Sequence, residues 1–451
     1  MSDKVFRPWI VDQHQMFPPS PMDLVPRDHL VHFIRDLVRE ELDLGTIFAA
    51  YQARCGYPPY HPGLMTALLL YSYSRGIYSS RRIERACEER VDYMALTGMA
   101  KPDHSTVCKF RNDHRQALSE LFVQVLSLCR DAGIAKLGHV ALDGTKMKAN
   151  ASKHSVMSYG RMKKLEPELA ALVDEWLKQA KETDEQEDGE HGPDHRGDEL
   201  PDHIKEKVKK LLRMRESMAR LEAQAKENAE RLAKERHEKE KAKGRGLDGP
   251  KPKALNAEPP DKAQSNFTDP ESRIMKSGNE YKQGYNCQAA VDAESQVVVA
   301  CCVTNKQNDS DELVPLVDAV KADTGEYPTE LSADTGYCSE ANLESLEDRG
   351  VNAYIATGRQ KHGRASATSN ERARQGPRSR AMRAKLRRGG WRSRYRLRKQ
   401  SVEPVFGQIK EARGFRRFLL RGLEKVSGEW SLLCTAHNLL KLATARSAAG
   451  A

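Results

Sequence analysis

HVALDGTKMKAN, residues 139–150, is the stretch on which the reading of the chain turns. His139 to Leu142 reads as a short strand, with Val140 and Leu142 apolar. Asp143 then stands at the strand's end, followed by Gly144, Thr145 and Lys146. A carboxylate at the end of a buried strand is held rigidly and still faces solvent, which suits a divalent cation. The same letters also spell a plain turn, because Asp-Gly is a common hairpin signal. Two later stretches bear on that choice. LSADTGY sets Asp334 directly after an expected strand, Glu330–Ala333. SVEPVFGQIK sets Glu403 at the head of an expected helix. Val402, Phe406 and Ile409 share one face of it, and Glu403, Gly407 and Lys410 the adjacent one.

Composition narrows the partner. The chain has 451 residues, enough for two or three domains, with 39% hydrophobic and 31% charged residues. A formal net charge of +10 favours a polyanion, either nucleic acid or an anionic membrane. The longest apolar-rich run, Leu64–Tyr73, is too short to span a bilayer, and MSDKVFRPWIVDQ lacks the apolar centre of a secretory signal. No membrane partner is therefore expected. Nine cysteines without CxxC spacing fit free thiols in a reducing, cytoplasmic setting rather than disulfides or a zinc site.

Upstream of the central stretch the periodicity is helical. Residues 1–22, rich in Pro and aromatics, read as an extended arm, and 23–136 as an all-helical domain and candidate DNA binder. Its first helix is expected over Asp28–Tyr51. The next, Gly63–Gly76 after Pro62, is apolar nearly all round and therefore buried. Another covers Ser80–Val91. Asp103 or Ser105 caps a further one that carries Lys109, Arg111 and Arg115. Two short helices with a basic second member fit either a helix-turn-helix on DNA or an ordinary bundle with a solvated basic face. Residues 118–136 form the helix that leads into the strand.

After Asn150 the composition shifts to Glu, Lys, Arg, Ala and Leu. Residues 151–268 read as a charged helical insertion. Two helices, 160–182 and 201–243, form an antiparallel hairpin around an acidic link, and 244–265 is a flexible tether. Leu211, Met214, Met218, Leu221, Ala225 and Leu232 follow heptad steps, interrupted by Asn228. Order returns at 269. Tyr285–Asp292 and Gln296–Thr304 form a hairpin, Glu312–Ala322 a helix, and Val351–Ala356 a strand. Ser339 caps a helix that Gly350 ends. A closing helix is built on Leu432, Leu433, Ala436, Leu439 and Leu440. The expected class is α/β: a mixed sheet flanked by helices over 137–150 and 269–442. An all-α domain precedes it and the coiled-coil-like insertion interrupts it.

Within the second part, 364–399 carries 14 Arg or Lys against one acid, Glu371, with Trp391 and Tyr395 interleaved. It is either a solvated linker or a nucleic-acid contact through Arg387, Arg388, Arg392, Arg394, Tyr395 and Arg398. Gly407 would let a phosphate backbone approach, and Lys410 would touch it. Asp143, Asp334 and Glu403, brought together by a sheet and a helix, would hold two Mg²⁺ ions, with Mn²⁺ able to substitute. Such a pair activates a water or a 3′-hydroxyl and stabilises the leaving oxygen of a phosphodiester. Asp292, Asp309 and Asp311 are secondary candidates around them.

These words together resemble the DDE transposases of bacterial insertion sequences, of the insertion-sequence-four/five superfamily with an RNase H-like catalytic domain. The resemblance rests on HVALDGTKMKANAS, GYNCQAAVDAESQVVVACCVTN, LSADTGYCSEANL and RLRKQSVEPVFGQIKEARGFRRFLLRG. The N-terminal YHPGLMTALLLYSYSRGIYSSRRIERACEERVDYMALTG and PDHSTVCKFR add to it, so that 20–150 and 266–442 are covered. It implies an RNase H-like mixed sheet, with Asp143, Asp334 and Glu403 as the acidic triad and Lys410 as the lysine after the glutamate. It also implies double-stranded DNA as partner, as element terminal repeats and target. Lys146, Lys109 and Arg111 are further candidate DNA contacts, and a homodimer is expected on the DNA. One departure stands out. The family's Tyr–Arg–Glu–Lys signature puts three residues between Arg and Glu. Here four separate Arg398 from Glu403, and Lys399 occupies the expected place, so the roles of Tyr395 and Arg398 stay open. Rival readings are a related metal-dependent nuclease without strand transfer, and a non-catalytic DNA-binding derivative. A basic coiled-coil scaffold explains the charge and heptads but not the three acids.

Overall fold

The apolar spacing before residue 132 is satisfied by short helices: α1 (Leu30–Glu40), α2 (Gly45–Ala49), α3 (Pro62–Ser74), α4 (Ser80–Glu89), α5 (Val91–Thr97), α6 (His104–Asp113) and α7 (Arg115–Asp131). The structure, a computed structural model, describes residues 20–51, 58–191, 202–243, 258–278, 280–358 and 376–449. Most of the N-terminal arm thus lies outside the described residues, and Pro21–Leu24 is a 3-10 turn rather than extended. The single helix expected over Asp28–Tyr51 is two. The Leu42 N–H returns to the Leu37 carbonyl at 3.0 Å, and the Asp43 carboxylate accepts from Gly45 N–H at 2.8 Å. These two bonds turn the chain. Helix α3 opens on Pro62 and is buried all round, as its composition demands. Asp103 caps α6 by accepting from the N–H groups of Ser105 and Thr106.

Strand β1 (His139–Lys148) is ten residues long, not four. Asp143–Gly144 is strand and not a turn, so Asp143 does not stand at the end of its strand. The insertion follows as β2 (Val156–Ser158), α8 (Tyr159–His191), α9 (Asp202–Lys243) and β3 (Gln264–Asn266). Strands β2 and β3 pair with each other and form a root that the sequence reading lacked. Helix α8 continues to His191, into the stretch expected to be a link; the rest of that link and most of the tether lie outside the described residues. The two helices are antiparallel: Tyr159 donates to Glu222 at 2.7 Å, and Arg215 meets Glu166 at 2.6 Å. Tyr159, Met162, Met214 and Leu221 form a small core of their own. The heptad seam fades beyond it, since Leu232 is exposed.

The main sheet then completes itself. Strands β4 (Arg273–Ser277) and β6 (Val298–Thr304) lie end to end along one edge of β5 (Glu280–Asp292). The other edge of β5 pairs antiparallel with β1 from Val140↔Asp292 to Lys148↔Gly284. On its far side β1 runs parallel to β7 (Glu330–Ala333), but only over His139–Ala141. Strand β8 (Asn352–Ile355) extends the sheet beyond β7. Helices α10 (Leu313–Thr324), α11 (Glu340–Asp348), α12 (Pro377–Gly389), α13 (Leu397–Gly407) and α14 (Leu423–Ala449) flank it. The result is the expected RNase H-like mixed sheet with flanking helices. Helix α14 packs on β6 and also on α3 and α7, so one continuous apolar core joins the N-terminal helices to the sheet.

Pro404 sits inside α13 and cannot donate to the carbonyl four residues back. That carbonyl, of Gln400, instead accepts from the Gln296 side chain at 3.1 Å. Gln296 lies at the turn between β5 and β6 with φ +62°. It also bonds Lys441 and Gln408, and its carbonyl meets His437. One hairpin tip thereby fixes α13 against the sheet.

The insertion's separate core generates a prediction. Met214→Asp with Leu221→Asp places two charges on that seam without partners, at several kcal/mol each. Far-UV circular dichroism of the full chain should lose helical signal, while the unfolding transition of the sheet core stays in place. Unchanged helicity would show that the seam does not hold the two helices.

Candidate active site

Register brings the first two acids together. The parallel ladder ends at Ala141↔Ser332. Two residues further along each segment lie Asp143, still in β1, and Asp334, just past the end of β7, although 334 − 143 = 191 residues separate them in the chain. β7 stops at Ala333, and the Asp334 carboxylate accepts from Gly336 N–H at 2.8 Å, which fixes its rotamer. Glu403 comes from α13, whose Val402, Val405, Phe406 and Ile409 are buried and which packs on β1. It lies mid-helix rather than at the helix head.

Arg398 ties the acids together. Its guanidinium donates to Asp143 Oδ2 at 2.5 Å and to Glu403 Oε1 at 3.2 Å, with its side chain 12% exposed. Arg398 points at the acids, whereas Lys399, the residue at the expected place, is exposed. Burial pushes the Asp143 carboxyl up to about 6, with Asp334 and Glu403 adding to the rise and Arg398 opposing it. Burial raises Asp334 as well. The site remains short of positive charge.

That shortage bears on metal binding. Among the described residues no three His, Cys, Asp or Glu side chains are gathered closely enough to hold an ion. The ready-made carboxylate cage expected from the sequence is not there; Arg398 stands between two of its members. The donor chemistry still fits. Carboxylate oxygens are the hard ligands that Mg²⁺ or Mn²⁺ takes, and the raised Asp143 marks a place where added positive charge is favourable.

The other candidates divide. Lys410 donates to the hydroxyl of Thr145, two residues beyond Asp143 on β1. Lys146 pairs with Asp309 at 3.1 Å. Arg387, Arg388 and Arg392 are exposed, as is Lys109. Arg394 is tied to Glu330 at 2.7 Å, and Arg378 to Glu344 and Glu347. Two assignments are corrected. Arg111 is 6% exposed and donates to the Tyr73 hydroxyl and the Tyr78 carbonyl, so it holds the helical domain together and offers nothing to DNA. Tyr395 is 7% exposed and packs with Leu386 and Ala356. Arg115 of the same basic helix pair is bound to Glu424, which leaves Lys109 as the outward cation of that group. Asp292 is buried, accepting from the N–H groups of Leu137, Glu294 and Ser295 away from the acids. Residues 364–375 lie outside the described residues.

Two family models match the chain. Residues 249–439 match the family model described as Transposase DDE domain. Residues 19–113 match the one described as Transposase domain (DUF772). Neither the curated proteins nor the solved structures return a match. No described helix is long and apolar enough to cross a membrane.

A carboxyl whose folded value lies above its ordinary 3.8 binds its proton better in the folded chain. The contribution to stability therefore falls as pH rises from about 4 through about 6, and stays low above that. In chelator, Asp143→Asn should melt higher than the parent at pH 7.5, by up to about 2–3 kcal/mol. The difference should vanish near pH 4. A variant that melts lower at pH 7.5 would mean that the Arg398 pair outweighs burial.

Proposed function

We propose that this chain, which belongs to the DDE-domain transposases typical of bacterial insertion sequences, cuts DNA at element ends by metal-dependent phosphodiester hydrolysis and joins the freed 3′-hydroxyl to target DNA. Two observations carry the reading together: parallel register sets Asp143 level with Asp334, and one guanidinium joins Asp143 to Glu403. A divalent ion such as Mg²⁺, or Mn²⁺ in its place, would supply activation of the attacking oxygen and stabilisation of the leaving one. Asp143, Asp334 and Glu403 would hold it.

The chain's own residues do the rest. Asp143 and Asp334 are fixed by sheet register and by the Gly336 N–H, so their oxygens need little reorganisation. Glu403 is half exposed and free to adjust. Arg398 neutralises the acids while they lack another cation, and its guanidinium suits a phosphate once they release it. Lys410, steered by Thr145, lies on the same side of β1 as Asp143 and can meet the DNA backbone near the acids. The exposed Arg387 and Arg388 on α12 offer more distant phosphate contacts.

Two experiments test this. Asp143→Asn and Glu403→Gln keep shape and remove charge. Folded variants should retain DNA binding yet cut donor DNA at least about a hundredfold more slowly in Mg²⁺, since several kcal/mol of charge stabilisation go with the metal. Cutting at the parent rate by either variant would sink the assignment. Separately, Arg387→Ala with Arg388→Ala should flatten the log–log salt dependence of DNA affinity by about 1.8, at about 0.9 per phosphate contact. An unchanged slope would remove α12 from the DNA face.

A further inference from the structure

A fourth carboxylate touches the site from outside the triad. Asp309 stands between β6 and α10, on the 3-10 turn that leads into the helix. Its Oδ1 accepts from Asn286 Nδ2 at 2.6 Å, from Gln288 Nε2 at 2.8 Å and from Lys146 Nζ at 3.1 Å. Asn286 and Gln288 are fully buried in β5, beside the β1 residues that follow Asp143. The Gln288 oxygen accepts from Tyr337, which ends the turn that begins at Asp334. The whole group presses against Gly144: a Cβ there would stand 2.9 Å from Asp309 Oδ1 and 3.1 Å from Asn286 Oδ1.

The second oxygen looks the other way. A Cβ on Gly336 would lie 3.4 Å from Asp309 Oδ2 and 3.0 Å from Asp334 Oδ1, so the two carboxylates flank one glycine. Lys146, with its side chain 17% exposed, is bonded to one of these two acids, Asp309. Its charge also acts on Asp334.

We propose, on the transposase reading above, that Asp309 is a positioning residue of the catalytic centre: it holds the Lys146 ammonium and so keeps it off the Asp334 carboxylate. Three donors, one of them a cation, occupy Oδ1, so that oxygen acts as a fixed anchor. Without the anchor's charge, Asp334, which shares Gly336 with Asp309, is the carboxylate left to draw Lys146. An Asp334–Lys146 pair would fill the oxygens that the triad needs open.

Asp309→Asn tests this, because its amide oxygen still accepts from Asn286 and Gln288 while the charge that holds Lys146 is gone. Donor cutting should fall about 10–100-fold in kcat, with KM for DNA and the melting temperature unchanged. Calorimetric titration of the DNA-free protein with Mn²⁺ should show weaker binding by a similar factor. Adding Lys146→Gln should restore both kcat and Mn²⁺ affinity, with any loss confined to KM. A double variant no better than Asp309→Asn would overturn the proposal and make Asp309 a metal ligand in its own right. Parent-like cutting by Asp309→Asn would overturn it as well, and so would a large drop in melting temperature without change in Mn²⁺ affinity. If Asp143→Asn also cuts like the parent, the transposase reading is what fails; if Asp143→Asn is dead and Asp309→Asn is not, only this inference does.

Discussion

Carboxylates held side by side away from water repel one another and lose hydration, and much of this fold answers that constraint. Arg398 is the cation the chain itself supplies, bridging Asp143 and Glu403. It does not fully offset the cost, since Asp143 stays well above an ordinary carboxyl. The surroundings then have to be rigid. β1 is clasped by β5 over its length. α13 is fixed at its proline by Gln296. The Asp334 turn is fixed by its own N–H bond and by Tyr337.

The chain carries a long insertion between β1 and the rest of the sheet. The strand pair at the root, β2 with β3, closes the loop. It is reinforced by Tyr159 N–H to the Ala263 carbonyl at 2.7 Å and Gly160 N–H to that of Asp261 at 3.1 Å. Beyond the root the insertion keeps its own small core. Loop closure grows only with the logarithm of length, by about 0.6 kcal/mol per doubling. A closed root therefore separates the length of the insertion from the geometry of the acids.

How far the sequence could be read follows from how local each signal was. Strand β7, Asp334 after it, the Ser339 cap and the Gly350 stop all stand where the letters placed them, because each depends on neighbours within one turn. Pro62 and Asp103 at their helix starts are of the same kind. The apolar face of α13 was equally legible, and so was the inner part of the insertion's seam. Signals that depend on distant partners misled. Asp-Gly is a turn word, but a paired strand on one side and the Asp309 group on the other keep Gly144 extended. Arg111 looked like a surface cation until α3 supplied Tyr73 and the turn after it Tyr78. Strands β2, β3 and β4 are three to five residues long and defined by their pairing, too short for a period to show.

The span of the DDE match makes a related point about Asp143. The match begins at residue 249, beyond the insertion, and so contains Asp334 and Glu403 but not β1. Nothing local distinguishes Asp143 from other acids that follow an apolar run. What singles it out is register: Ala141 opposite Ser332 puts it level with Asp334, and one guanidinium then joins it to Glu403. A carboxylate placed elsewhere on β1 would not meet both conditions. Side chains alternate across a strand, so a shift of one residue would turn it to the opposite face. A shift of two toward the N-terminus would sink it among Val140, Ala141 and Leu142, which are fully buried. A shift of two the other way would put it in place of Thr145, against Lys410 and away from Asp334. Asp143 therefore holds the one position on β1 where the parallel ladder has just ended and the helix carrying Glu403 is still within reach.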